Sequence, residues 1–322
     1  MTKAAHPEES IAPDEAVVTA QFIEFLKAAT RRRYPSGIRR RFNQGRATAC
    51  VDAEFTVLDG LAPEHRIGLF ARPRTYQATI RFANAASASD RERDIRGMSI
   101  RVLDVGPANL IPGASMQDFI LNSHPVMMIP DTRSFLELLQ ANEAGGLRRG
   151  LYFLTHPKAL RIAGAARTHP TCHLDLSYWS TTPFLFGPGR AVKYIVSPVS
   201  ERRSPMPPAL TVKYLEDAMR ARLSESDAGF DFMIQFHRDS RLTPIEDASV
   251  EWREKDAPYV RVARLRIPVQ PIGDADVSAR CEQTAFNPWH CLPEHQPLGN
   301  LNRARRDIYR AMASFRAETI AT

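Results

Sequence analysis

Apolar and polar residues alternate along several stretches of the chain, with the period of two that is typical of β-strands with one buried face. The clearest stretch is YQATIRFAN, residues 76–84, in which Ala78, Ile80 and Phe82 share one face and Arg81 lies on the other. Similar strand-like patterns occur at residues 49–57, 94–102, 117–126, 191–196, 228–238 and 260–267. We count about eight strands, in two groups, from this pattern.

Apolar residues at helical spacing predict helices between and around these strands. The predicted helices cover residues 15–32, 131–139, 157–167, 214–223 and 300–316, and Asp14 and Asp131 are expected to cap the first two. This order of elements predicts an α+β fold, a closed antiparallel β-barrel of about eight strands surrounded by helices. Residues 1–13 are polar with two prolines and are predicted to form a loose arm, followed by a single domain over residues 14–322.

Charge and cysteine content narrow the class of protein. The formal net charge is +7 and the pI about 9.4, but the arginines are scattered except between residues 31 and 41, so a solvated surface with internal anion sites explains them without a nucleic-acid partner. The cysteines, Cys50, Cys172, Cys281 and Cys291, form no CxxC pair and are expected to be free thiols in a reducing compartment. No stretch has the apolar length of a membrane span or a signal peptide, so a cytoplasmic protein is expected.

The last predicted helix, NLNRARRDIYRAMASFR, places a phenol between two guanidinium groups on one face. At about 100° per residue, Arg305, Tyr309 and Arg316 fall within a stripe about 40° wide. Such groups are costly to bury without anionic partners. A ferric porphyrin would supply iron for the phenolate and propionates for the arginines. The alternative is a solvated face of a basic helix, with only Ile308 and Phe315 packed inward.

The chain from Glu282 to this helix resembles the proximal haem segment of the catalase superfamily. The matching residues are EQTAFNP at 282–288 and, about twenty residues further on, Arg305, Tyr309 and Arg316. The resemblance implies that Tyr309 is the axial ligand of iron in haem b and that Arg305 hydrogen-bonds the phenolate. It also implies that Arg316 reaches a haem propionate.

Residues 41–57 resemble the distal haem segment of short catalase-like proteins of the catalase-related peroxidase type, where the motif R-x-x-H-A-K/R-G precedes a strand ending in E-F-x-V. The resemblance places Arg41 on a propionate-binding arginine and Gln44 on the distal histidine. The strand at residues 76–84 resembles the family's V-R-F-S strand, which implies that Arg81 is a propionate ligand and places Ala83 on the serine that supports that histidine. A carboxamide cannot act as a general base near neutral pH, so we expect weak or no dismutation of hydrogen peroxide.

The stretch QDFILNSHPV resembles the family's strand D-L-V-G-N-N-T-P, whose second asparagine orients peroxide over the iron. The register without a gap places Ser123 there, and a shift of one residue would bring Asn122 or His124 to the iron. Gln44, Ser123, Asn122 and His124 are therefore the candidate catalytic residues. His124 is the second candidate for a distal base, and its alternative interpretation is a histidine at a strand end in a polar pocket.

Two other features could carry chemistry. The stretch HCLPEH, residues 290–295, holds two imidazoles, a thiol and a carboxylate that could bind zinc, but its spacing matches no standard zinc motif, and the proline indicates a loop. Cys50 is interpreted as a buried strand cysteine rather than a peroxide-reactive thiol, because only Arg46 would activate it locally.

The preferred hypothesis is a haem enzyme that acts on small-molecule organic hydroperoxides. It would work as a peroxidase, or as a hydroperoxide dehydratase or isomerase resembling allene oxide synthases, which share the family's fold. The alternatives are a haem sensor or carrier without peroxide chemistry, and a catalase-shaped protein that binds no haem. A homo-oligomer, dimer or tetramer, without a membrane span is expected.

Overall fold

The computed structural model describes residues 6–318. The helices in this part of the chain are α1 (Glu15–Arg33), α2 (Thr132–Glu143), α3 (Gly146–Thr155), α4 (Pro157–Ala166), α5 (Tyr214–Glu225), α6 (Ala275–Gln283) and α7 (Asn300–Ala317). The strands are β1 (Ala47–Val57), β2 (Arg74–Asn84), β3 (Arg96–Val102), β4 (Gln117–Asn122), β5 (Tyr178–Trp179), β6 (Phe184–Leu185), β7 (Ala191–Pro198), β8 (Ala228–Phe236) and β9 (Tyr259–Ile267).

Eight of these strands form a closed antiparallel barrel, which confirms the predicted fold class. The order around the sheet is β5-β4-β3-β2-β1-β9-β8-β7-β6, and a further pairing between β5 and β7 closes the ring. The two-residue strand β6 pairs only with β7 and extends the sheet outside that ring. The two predicted groups of strands are therefore β1 to β4 and β7 to β9, with helices between them in the chain.

Aromatic side chains fill the barrel. The ring centroids of Phe55, Phe119 and Phe232 lie 4.8 to 6.1 Å apart, and the ring of Tyr194 lies 4.9 Å from that of Phe119. All four side chains are fully buried. Because successive side chains of a strand alternate between faces, the period of two in the sequence sends these large residues into one common core.

Helices α1, α2 and α7 pack together outside the barrel. Their shared apolar cluster contains Phe22 and Leu26 of α1, Leu136 of α2, and Met312 and Phe315 of α7. Met312 and Phe315 are therefore the buried apolar contacts of α7 with the other two helices, and Met312 lies next to the stripe of Tyr309 and Arg316 on the helix surface.

The described part of the predicted loose arm, residues 6–13, is held against α7. The buried guanidinium of Arg303 lies 2.6 Å from Glu9 and 2.8 Å from Glu15, and the backbone N–H of Gly299 donates to Glu9. Glu246 adds a third carboxylate at 2.9 Å. The arm is thus anchored to α7 at Glu9, which the prediction of a loose arm did not anticipate. Residues 1–5 lie outside the described part.

Four local predictions need correction. Asp14 makes no side-chain cap to α1 and instead pairs with Arg133, whereas Asp131 caps α2 as expected by accepting from the backbone N–H of Ser134 at 2.8 Å. Helices α3 and α6 were not predicted. Gly145 and Gly146 at the start of α3 weaken helix propensity locally, but the packing of Tyr152 in α3 overrides it.

The fourth correction concerns the cysteines. Cys50 of β1 and Cys281 of α6 form a disulfide across 231 residues of sequence, with Cα atoms 6.3 Å apart, while Cys172 and Cys291 are free and buried. The prediction of four free thiols is wrong because sequence spacing does not reveal which distant residues the fold brings together. Among residues 6–318, no helix is long and apolar enough to cross a membrane.

Candidate functional site

Three arginines predicted to bind propionates gather around Glu282, in the last turn of α6. Arg41 Nη1 lies 2.7 Å from Glu282 Oε2, and Arg81 Nη2 lies 2.9 Å from Oε1. The guanidinium of Arg316 interacts electrostatically with both Glu282 and Arg81, and with Tyr309 on its own helix. The fold therefore brings Arg41 from the loop before β1, Arg81 from β2, and Arg316 and Tyr309 from α7 into one neighbourhood.

This cluster has more positive than negative charge. Burial, followed by the charge of Arg81, lowers the pKa of Arg41 to about 9, and burial also lowers the pKa of Arg316. Burial works to raise the pKa of Glu282, but the charges of Arg81 and Arg41 outweigh it and lower that pKa. Arg81 is only 1% exposed, and among residues 6–318 its buried Nε finds no hydrogen-bond acceptor. The site is thus short of anions, which is an unfavourable state for buried guanidinium groups.

Gln44 lies next to the cluster. Its backbone carbonyl oxygen accepts a hydrogen bond from Arg81 Nη2 at 2.7 Å, and its backbone N–H donates to the backbone carbonyl of Ala85 at 2.8 Å. Its side-chain amide rests directly on Gly97 of β3, where an added Cβ would come within 2.3 Å of the amide nitrogen. A larger residue at position 97 would therefore push the Gln44 amide out of this position.

The strand register decides which β4 residue shares a face with the Gln44 amide. Ala83 of β2 pairs with Gly97, and Gly97 pairs with Asn122 of β4. Directly paired residues of antiparallel strands point to the same face of a sheet. Asn122 therefore lies on the same face as the Gln44 amide, and Ser123, the next residue, lies on the other.

Ser123 and His124 have other surroundings. The Oγ of Ser123 accepts from the backbone N–H of Arg96 at 2.9 Å. His124 is half-buried, and burial lowers its pKa, while the charge of Glu251 acts in the opposite direction. Glu251, the charged residue that acts on His124, lies in the segment after β8 and not in the arginine cluster.

On α7, Arg305 is held by Thr182, from the loop between β5 and β6, and by Asn302 of its own helix. Its Nη1 donates to Thr182 Oγ1 and to Asn302 Oδ1, both at 3.1 Å, and within residues 6–318 we find no hydrogen bond from it to Tyr309. Tyr309 itself is half-buried. The structure therefore places Arg305 one turn from Tyr309 on the expected helix face, with its guanidinium anchored to Thr182.

The residues of the HCLPEH stretch have structural partners. His290 Nδ1 lies 2.8 Å from Asp118, and His295 Nε2 accepts from the backbone N–H of Leu69 at 3.0 Å. In the part of the chain that the structure describes, no three His, Cys, Asp or Glu side chains gather as a metal site. Residues 293–295, predicted as a loop, form one short 3₁₀ turn.

Glu282 belongs to the EQTAFNP motif, but the sequence alone assigned this residue no role. The neighbouring disulfide between Cys50 and Cys281 was also not predicted. One signal could have revealed Glu282: a set of buried arginines predicted to meet at one site requires a carboxylate nearby when no other anion is present. The partner of Cys50 carried no such signal, since it depends on how α6 lies against β1.

Solved structures with the same fold are catalases. The chain superimposes on a fungal catalase with a TM-score of 0.70 and 14% identity, covering 98% of this chain and 65% of the catalase. A bacterial catalase gives a TM-score of 0.67, 14% identity and coverage of 98% and 63%, and catalase A from Saccharomyces cerevisiae gives 0.70, 15%, 98% and 67%. The chain thus spans about two thirds of the length of these catalases.

These similarities establish that the chain has the catalase fold. No protein-family model and no curated protein matches the sequence. At such low identity the likeness concerns the fold alone, and function has to be argued from the site.

Proposed function

We propose that the protein binds haem b, with Tyr309 as the axial ligand of the iron and with Arg41, Arg81 and Arg316 holding the two propionates. The observation that carries this proposal is the anion deficit beside Tyr309. Three guanidinium groups share the single carboxylate of Glu282, and the buried Nε of Arg81 has no acceptor. A ligand with two carboxylates would supply the missing anions, and haem also presents a metal ion to a phenol.

The donor set therefore fits haem. Arg305, anchored on Thr182 and Asn302, lies one helical turn before Tyr309 on the same helix. Bound haem would supply the redox chemistry that cleaves the O–O bond of a peroxide, and the protein supplies binding and orientation.

On the opposite side we assign Gln44 and Asn122 as the polar groups that orient a ligand. Both side chains are amides, which donate and accept hydrogen bonds but take up no proton near neutral pH. Their shared sheet face supports Asn122 over Ser123, whose Oγ is engaged by Arg96. We assign no base role to His124, because its described electrostatic neighbour is Glu251.

We infer from these amides that hydrogen peroxide is dismutated weakly or not at all, and that organic hydroperoxides are the substrates. Turnover would be peroxidase-like or a rearrangement of the dehydratase or isomerase type, since neither depends on a strong distal base. The second candidate function is a haem sensor or carrier, and the same absence of a titratable group from the Gln44–Asn122 pair favours it. We further propose a homo-oligomer, dimer or tetramer. A cytoplasmic location stays a prediction. The Cys50–Cys281 disulfide weakens the part of that prediction that rested on free thiols in a reducing compartment.

Visible absorption of the purified protein with and without added haem tests the cofactor assignment. We expect a ferric spectrum of the phenolate-ligated type, which Tyr309→Phe abolishes. Tyr76→Phe is the matched control, because Tyr76 lies in β2 and stacks with Arg74 at 4.4 Å. An unchanged spectrum in Tyr309→Phe overturns the ligand assignment.

Steady-state rates with hydrogen peroxide and with an alkyl hydroperoxide test the substrate class. We expect the alkyl hydroperoxide to be preferred, and Gln44→His to raise hydrogen peroxide dismutation at least about 100-fold, the scale of general-base catalysis. Rapid dismutation by the unchanged protein would refute the role assigned to Gln44. A haem spectrum without turnover of either peroxide would support the sensor or carrier.

A further inference from the structure

The carboxylate of Glu282 connects four separate parts of the chain. Its Oε2 accepts from Arg41, and its Oε1 accepts both from Arg81 and from the backbone N–H of Ala47 at 3.2 Å. These groups belong to the loop before β1, to β2, and to the first residue of β1, while Glu282 itself belongs to α6. One side chain thus fixes how the loop, the barrel and the helix meet.

The position of Glu282 is itself restrained on both sides. The preceding residue, Cys281, is bonded to Cys50 of β1, so the last turn of α6 is tied to the barrel. Arg41 Nη2 also donates to the carbonyl of Thr284 at 2.6 Å. Arg41 is therefore held by the end of α6 at more than one point, which limits the directions that its guanidinium can take.

The donors that Glu282 leaves free point to its role. Arg81 uses Nη2 for Glu282 and for the Gln44 carbonyl, and its Nε stays buried without an acceptor. Arg316 has only electrostatic interactions with the cluster. With Glu282 in place, the cluster has a net excess of two positive charges, the number that a ligand with two carboxylates neutralises.

We propose that Glu282 is a positioning residue that holds Arg41 and Arg81 in the orientation required by a ligand with two carboxylates, and that it stays in place when the ligand binds. This inference rests on the proposed haem function. It adds that recognition of the propionates depends on a carboxylate of the protein itself.

The test compares two probes, haem and haem dimethyl ester, which lacks the free carboxylates. In the wild-type protein, haem should bind more tightly than the ester. In Glu282→Gln we expect haem affinity to fall about 10-fold to 100-fold, the range of a hydrogen bond to a charged group, while affinity for the ester and the phenolate spectrum stay unchanged. Glu282→Asp, which keeps the charge, should recover part of the loss.

Glu143→Gln is the matched control. Glu143 also binds two arginines, Arg32 at 3.2 Å and Arg33 at 3.3 Å, but on the outer surface formed by α1 and α2. The Glu143→Gln variant should leave the affinities for haem and for haem dimethyl ester unchanged. Urea unfolding of each apoprotein shows whether the variants fold.

The outcomes separate the two proposals. If the wild-type protein binds neither probe, the proposed function and this inference both fail. If haem binds but Glu282→Gln weakens both probes equally, Glu282 is only structural. If Glu282→Gln tightens haem binding, Glu282 competes with the propionates, and the inference is overturned while the haem function stands.

Discussion

Replacing Cys50 and Cys281 by serine removes a cross-link between residues 231 positions apart. Chain-entropy scaling for a loop of this size gives a loss of about 5 kcal/mol in the free energy of unfolding, as an upper value. The unfolded chain gains this freedom, while the folded barrel loses only a contact between β1 and α6. We expect a fall of several kcal/mol without a change in the strand content.

The assay is urea unfolding followed by circular dichroism, with and without a reducing agent. The reducing agent should destabilise the wild-type protein to the level of the double variant and leave the double variant unaffected, so the variant serves as the control. Thiol titration of the unreduced, denatured protein should find two reactive groups, Cys172 and Cys291. Four reactive thiols, or unfolding that ignores the reducing agent, would refute the reasoning.

Three further predictions concern buried charged groups. Burial lowers the pKa of His173 to about 3 and that of His295 to about 4, below the unfolded value of 6.5. The unfolded chain therefore binds more protons, and the free energy of unfolding should fall as the pH drops from 6.5 to 4. A free energy of unfolding that does not change over this pH range contradicts the prediction. Arg303→Met should lower the free energy of unfolding by about 3 to 5 kcal/mol, because it leaves buried carboxylates unpaired. Arg202→Met, which removes an exposed ion pair, should lower it by less than about 1 kcal/mol in the same urea assay. Burial lowers the pKa of Lys193 to about 7 from 10.5, so wild-type stability should rise between pH 7 and 10, and Lys193→Met should lack this rise.

The catalase fold could be predicted from the sequence because the alternation of apolar and polar residues is a local pattern that recurs in each long strand. Alternation in β2 and in the other long strands fixed both the strands and their inward faces, and helical spacing fixed α1 and α7. Motifs at both ends of the chain indicated the arginines and Tyr309 that the barrel brings together. The short helices α3, of 10 residues, and α6, of 9 residues, were missed because helices of this length are marginal by themselves and depend on contacts with the rest of the fold.

The local amino-acid pattern thus determined the barrel and its main outer helices, and the resemblance of short motifs supplied the candidate site residues. Tertiary structure alone decided that Asn122 rather than Ser123 lies on the same sheet face as the Gln44 amide, that Glu282 joins two arginines, and that Cys50 bonds to Cys281. The physical reason is that side-chain periodicity depends on neighbours a few residues apart. Strand register, ion pairing and disulfide pairing depend instead on which distant segments the closed barrel brings into contact.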